Sequence, residues 1–497
     1  MTQPIPWTFE PADVWRYFAE VCSIPHPSGH EAALARRVAA LAAEHGLACR
    51  QDAAGNVRID RPAAPGFGRR PRIILQAHLD MVPQAAAGRP FDFESQPIRP
   101  VVRGGWVSAD GTTLGADDGI GVALALALLF DARLKAGPLA GVFTVSEETG
   151  LVGARAIDPA FLKGDWLLNL DGGGEGRFCI GCAGSGRLEV TFDTAPDPVG
   201  PGRGAAVAVA GLRGGHSGSH IHERRGNALV FLVRFLLAEP SFRIGAIEGG
   251  SVDNAIPREA AALGIAGEPL AAMRRRADRL AAALAGEFEA PKTFTITVSD
   301  APRPATAWNR AFQGSLLKAV AAAPNGVQAY SDAFRCVRTS SNLAAMHSSG
   351  GRLTIRTSQR SLDDGERAAL TGRIAAGFAA AGGTPKTGNV YPAWKPRPDS
   401  PLLRRAGDLY KTLTGGEAGW DVIHAGLEAG LFCRLNPGLD ILALTPTLKD
   451  IHSPGERLEI ASVQRVHRFL RALLERGPAD QEAASRARAS RAASRPG

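Results

Sequence analysis

The chain has 497 residues, 45% hydrophobic and 21% charged, a globular composition too long for one ordinary core, so two or three domains are expected. No apolar run approaches the roughly 18 residues of a membrane span, which argues against a membrane partner. The net charge of +8 is interspersed with acids outside the C-terminal tail and comes with no RNA-binding motif, so a nucleic-acid partner is not expected either.

The start, "MTQPIPWTFEPADVW", has no basic flank and no apolar core. No signal peptide is read there, and a cytoplasmic location is expected. Helix signals come at 11–21 and 30–46. Strand signals follow at 54–60, 72–78, 139–145 and 166–170, with an apolar helix at 118–131. Strands alternating with helices predict an α/β domain with a mainly parallel, buried sheet. "RFCIGCAGSG" holds the one close cysteine pair, Cys179-x-x-Cys182. A single such pair fits a redox couple or half of a zinc site, but no second pair completes that site; reduced structural thiols are expected.

From about 187 the texture changes. "RLEVTFD" and "AAVAVAGLRG" alternate at period two, 226–238 reads as a helix, and "SFRIGAIEG" and "AIPREAAALGIA" read as strands. An amphipathic helix at 268–288, the strand "KTFTITVSD", "RLTIRTSQRSL" and a helix at 364–381 follow. This is an α+β region with half-exposed sheets. After 390 the chain returns to glycine-rich turns, short apolar runs and a final helix at 460–475. The pattern predicts an inserted domain at 188–389 within a first domain made of 1–187 plus 390–477. The tail 478–497, rich in Ala, Ser and Arg, cannot bury enough surface to fold and is expected to be disordered.

Chemistry-bearing residues recur in one setting: an apolar strand, then an acid or imidazole, then a small residue. "RIILQAHLDMVPQ" (72–84) delivers His78 and Asp80. "GVFTVSEETG" delivers Glu147 and Glu148, "DWLLNLDGG" delivers Asp171, and "LKDIHSPGE" delivers His452. "TTLGADDGIGVA" places Asp117 and Asp118 in the turn opening the apolar helix. Open α/β sheets build their sites at the carboxyl ends of their strands. Taken singly, Asp117 is a helix cap, each histidine an ordinary hydrogen-bonded residue, and the paired glutamates solvent-facing. Together, two histidines and several carboxylates suit a pair of zinc, cobalt or manganese ions.

In order, "SIPHPSGHE", "QAHLDMVP", "TTLGADDGIG", "SEETG", "NLDGGGEG", "GGHSGSHIH", "NAIPRE", "IHAGLEAGLF" and "IHSPGE" run over roughly 10–475. This ordered set resembles the cytosolic aminoacyl-histidine (Xaa-His, beta-alanyl-histidine) dipeptidases of the M20 metallopeptidase family. The resemblance implies a zinc-peptidase catalytic domain with an inserted α+β lid and dimerisation domain. It implies two divalent ions per subunit, zinc first, with cobalt or manganese as alternatives, and a homodimer acting on small dipeptides. Asp117 would bridge the ions; His78 and Asp171 would complete one, Glu148 and His452 the other. Asp80 would orient His78. Glu147 would be the general base for a metal-bridging water and would pass its proton to the leaving amine. His216 would stabilise the tetrahedral oxyanion, reaching the site from a partner subunit. Asn254, Arg258 and Arg360 would meet the substrate, arginine suiting a terminal carboxylate, and His424 would line the pocket. Arg258 reads equally well as a structural ion-pair residue.

Two positions depart from the family pattern. Asp118 stands where many members carry Asn, and Arg338 in "VRTSSN" stands where an acid is expected. Neither removes a ligand, though Arg338 could change side-chain preference. Two other functions compete with the dipeptidase: an N-acyl amino acid deacylase or carboxypeptidase of the same fold, and a non-catalytic binding protein. The intact Glu147 and five metal positions argue against the last.

Overall fold

The computed structural model describes residues 8–194, 196–200 and 202–476; the predicted basic tail 478–497 lies outside them. The chain forms two compact units. One takes the chain up to Gly181, then Trp394–Val422 and Leu427 onward; the other takes Cys182–Ala393 and Ile423–Gly426.

The first unit is built on an eight-stranded sheet. Its order is Ala48–Gln51, Val57–Arg61, Leu139–Thr144, Ile73–His78, Trp166–Asn169, Asp440–Ala443, Arg177–Cys182 and Gly419–Ile423. The central four strands run parallel. The expectation of a parallel sheet holds there and stops at the flanks. Ala48–Gln51 and Val57–Arg61 are joined by the short turn 52–56, which only an antiparallel pair can use. Ile73–His78 and Leu139–Thr144 are buried at every position, as strands covered on both faces must be. The apolar helix Ala116–Phe130 packs on both of them. Almost every side of it is buried, so it shows no polar stripe.

Phe143, on Leu139–Thr144, is fully buried. Phe143→Ala is expected to cost about 3–5 kcal/mol of stability by opening a cavity. A urea unfolding curve should show the midpoint falling with an unchanged slope.

The second unit is a nine-stranded antiparallel sheet with helices Ala228–Leu237, Leu270–Ala285, Arg310–Ala322 and Asp364–Ala380. Gly184–Asp193 and Arg203–Ala210 alternate buried and half-exposed positions. Their inward residues Leu188, Val190, Phe192, Val207 and Val209 join one apolar core with those helices. "AIPREAAALGIA" is split into Ala255–Ile256 and Ala260–Ala266, because Pro257 offers no N–H to a ladder. Cys179 and Cys182 lie on Arg177–Cys182, both buried, and Cys179 Sγ donates to the carbonyl of Gly181.

Candidate metal centre

Adjacent parallel strands end at one edge of the sheet, and three of them bring ligand-type side chains there. Ile73–His78 ends on His78 itself. Asp171 follows Trp166–Asn169 by two residues. Leu139–Thr144 runs into the turn that carries Glu147 and Glu148. Asp117 comes from the start of the apolar helix. Its backbone (φ −86°, ψ 104°) is not helical, so the regular turns begin beyond it. Gly115 precedes it at φ +68°, a conformation that strains any other residue, and a Cβ there would lie 2.9 Å from the Met81 sulfur and have to push it aside. His452 sits in the turn between the paired strands Leu448–Lys449 and Arg457–Glu459.

Ligand atoms of His78, Asp117 and Glu148 lie within 4.8 Å of one another. His78 Nε2 is 3.4 Å from Asp117 Oδ1, and His452 Nε2 is 3.1 Å from Asp117 Oδ2. Asp117 thus turns one oxygen to each imidazole. His452 Nε2 is also 2.7 Å from Glu148 Oε1. His78 Nδ1 lies 3.0 Å from the carbonyl of Asp80 and must donate to it. Nε2 is therefore the ring atom left to take a cation.

Asp80 ties the site together. Its carboxylate accepts from Ser28 Oγ (2.7 Å) and from the backbone N–H groups of Glu147 (2.9 Å) and Glu148 (3.1 Å). Burial opposes its charge, but the bond to His78 and that imidazole's charge outweigh burial and hold it at about 2. Burial pushes Asp171 up to about 7, with the Asp117 charge adding to it. Burial likewise raises Glu147 well above the usual range, reinforced by the charges of Asp171 and Glu148. Burial works against a charged His452, but its bonds to Asp117 and Glu148 prevail and raise it to about 11. Asp118 is buried and accepts from the His78 backbone N–H.

This donor set fits divalent cations. Imidazole nitrogens and carboxylate oxygens converge, and the crowded carboxylates oppose one another's ionisation until positive charge arrives. Burial works against a charged His78 too, but its bonds to Asp117 and Asp80 prevail and raise it well above the ordinary imidazole range, so His78 and His452 must each lose a proton to bind a cation. Zinc binding at pH 7 is therefore expected to release on the order of two protons per chain. Calorimetry in buffers of different ionisation enthalpy reads that number, and no buffer dependence would contradict it.

Three acids in the quoted motifs have contacts that sequence alone did not assign. Glu31 accepts from Gly29 N, Ser146 N and Ser146 Oγ, each at 2.8 Å, and so fixes the turn before Glu147. Glu456 accepts the four successive N–H groups of Leu114, Gly115, Ala116 and Asp117 at 2.8–3.2 Å. The segment that presents His452 therefore also grips the backbone of Asp117. Glu428 is buried beneath the strand ends. In sequence these three acids look like any exposed acid; only burial separates them.

The other site candidates lie in the second unit. His216 is on the short strand Gly215–His216, paired with Ala255–Ile256. Its Nδ1 accepts from the backbone N–H of Ser219 (3.0 Å) and of Gly218 (3.3 Å), so the ring proton is on Nε2. His216, Asn254 and Arg258 line one cavity of about 880 Å³. Asn254 and Arg258 are exposed, and Arg258 makes no ion pair among the described residues. Arg360 is buried and donates to Tyr391 Oη at 2.9 Å. His424 is buried, 2.7 Å from Ser340 Oγ; burial, with the charge of Arg360, lowers it to about 3. Arg338 pairs with Glu366 at 3.2 Å, an exposed partner for the departure noted above.

The chain matches the peptidase family M20/M25/M40 over residues 74–476. It is 36% identical over 476 residues to the cytosol non-specific dipeptidase of Escherichia coli K12, covering 94% of this chain and 98% of that protein. The crystal structure of aminoacylhistidine dipeptidase from Vibrio alginolyticus superposes with a TM-score of 0.82 at 38% identity, covering 95% of this chain and 98% of that one. A Staphylococcus aureus tripeptidase, at 15% identity and a TM-score of 0.55, covers 94% of this chain and 98% of its own and shares the fold. Among the described residues no helix is long and apolar enough to cross a membrane. With the match spanning most of its length, the chain belongs to peptidase family M20/M25/M40, a family of metal-dependent peptidases.

Proposed function

We propose that the protein is a dinuclear zinc dipeptidase that hydrolyses unblocked dipeptides of the Xaa-His type, such as beta-Ala-His, as a cytoplasmic homodimer. The single observation that carries this reading is the setting of Asp117, one oxygen toward each of two histidines that come from different segments. His78 and Asp171 would complete one cation with it, and Glu148 and His452 the other. The two cations, when bound, supply Lewis acidity to a water and to the scissile carbonyl. Cobalt or manganese would serve the same donors.

Glu147 takes a proton from the attacking water as the new C–O bond forms. It returns that proton to the amine nitrogen as the C–N bond breaks. Its raised proton affinity suits a base that must also act as an acid. Asp80 holds the backbone of Glu147 and the ring of His78, so base and ligand stay in register. His216 carries its proton on Nε2, the form that donates to an oxyanion. Arg258 or Arg360 would clamp the terminal carboxylate, beside Asn254, with the neutral His424 lining the pocket.

The names of the E. coli and Vibrio relatives support a dipeptidase, and the former's supports the cytosol. The test is a panel of beta-Ala-His, Gly-His, Ala-Ala and N-acetyl-Ala with zinc-reconstituted protein. Cleavage of the free dipeptides supports the reading. Turnover of N-acetyl-Ala alone makes the protein a deacylase. No turnover with two zinc ions bound makes it a binding protein.

A further inference from the structure

Beneath the ligand-bearing strand ends lies a buried polar cluster that the proposed chemistry does not use. Gln76, Asn169 and Thr144 come from the three adjacent strands Ile73–His78, Trp166–Asn169 and Leu139–Thr144, and none is exposed to solvent. Each closely precedes a site residue: Gln76 before His78, Asn169 before Asp171, Thr144 before Glu147. Side chains two apart on a strand share a face, so Gln76 lies under His78. Asn169 Nδ2 donates to Gln76 Oε1 at 2.5 Å. Gln76 Nε2 and Thr144 Oγ1 then both donate to Oε2 of Glu428, each at 2.7 Å. Glu428 arrives on a distant segment, at the start of the helix Ala429–Leu435, and is 1% exposed. Its Oε1 has no hydrogen-bond partner among the described residues.

A buried acid with one unpartnered oxygen is a poor device for stability; a well-packed apolar side chain often does as well or better. What the acid provides is a fixed link between strands. The link spans the strands whose ends must hold ligands and base within about half an ångström. We propose that Glu428 is a positioning residue of the metal centre. By accepting from Gln76 and Thr144, and through Gln76 holding Asn169, it sets the spacing of His78, Asp171 and the Glu147–Glu148 turn. The inference rests on the metal-dependent reading above. Glu428 itself contacts neither substrate nor cation.

The test compares Glu428→Leu, Glu428→Gln and Thr144→Val in the full chain. Zinc affinity is read by chelator competition, ligand geometry by the visible spectrum of the cobalt-substituted protein, and kcat and KM with beta-Ala-His. Glu428→Leu is expected to weaken zinc binding about 10–100-fold, as loss of a support behind metal ligands does. It should shift the cobalt spectrum and lower kcat by a similar factor, with KM within about twofold. Gln keeps an oxygen that can accept both bonds, so Glu428→Gln should recover most of each loss. Wild-type zinc affinity, cobalt spectrum and kcat in folded Glu428→Leu would overturn the proposal. Should that variant fail to fold, Thr144→Val decides, because it removes one donor at constant shape. Unchanged zinc affinity and spectrum there would overturn the proposal equally. If the wild type cleaves no dipeptide, the functional reading fails, while zinc affinity and the cobalt spectrum still decide the role of Glu428.

Discussion

Glu147→Ala lowers kcat for dipeptide hydrolysis by about 10²–10⁴-fold, the usual contribution of a positioned acid–base group, while metal content stays at the wild-type level. Glu147 and Glu148 are adjacent, yet their surroundings differ. Glu148 pairs with His452, which also faces Asp117. Glu147 has its backbone pinned by Asp80 and its carboxyl pushed strongly toward the protonated form. Truncating Glu147 therefore removes the proton carrier and leaves the ligand cluster of His78, Asp117 and Glu148 intact. Metal analysis beside the kinetics separates the roles. Loss of bound metal in Glu147→Ala, with metal retained in Glu148→Ala, would exchange the two assignments.

Asp117→Ala removes both metal loading and activity. No other carboxylate in the cluster faces both imidazoles, so its loss would leave each of the two proposed cations short of a ligand at once. The effect on zinc affinity should exceed the roughly 10–100-fold typical of an outer support. Thermal unfolding gives a readout independent of catalysis. A ligand that binds only the folded state adds about 2.7 kcal/mol at a concentration 100 times its Kd. Zinc should therefore raise the Tm of the chelator-treated wild type and leave that of Asp117→Ala unmoved. An equal rise with zinc in both proteins would contradict the bridging role.

Elements with a simple period were legible in the sequence. Ile73–His78 and Leu139–Thr144 are short apolar runs. The helix Ala116–Phe130 is apolar all round, and Gly184–Asp193 and Arg203–Ala210 alternate cleanly. The long strand Cys336–Ser349 carried no such signal. Thr339, Ser340, Ser341 and Asn342 are buried in it although polar, and only partners far along the chain make that affordable. Thr339 bonds Ser361 and Glu366, Ser340 bonds His424, and Asn342 bonds the carbonyl of Ala255. The site divides the same way. Residues delivered at strand ends, such as His78 and Asp171, announce themselves by the apolar run before them. Glu31, Glu428 and Glu456 act through contacts hundreds of positions away or with backbone N–H groups, and nothing local distinguishes them.

The His78–Asp117–Glu148 cluster, with Asp171 and His452, is proposed as a two-cation centre for peptide hydrolysis. Its most direct test is activity on beta-Ala-His against bound zinc per chain, titrated into chelator-treated protein. Activity should be negligible without metal and reach its maximum at about two zinc ions per chain. Full activity in the chelated protein, or a chain that binds two ions and cleaves no free dipeptide, would contradict it.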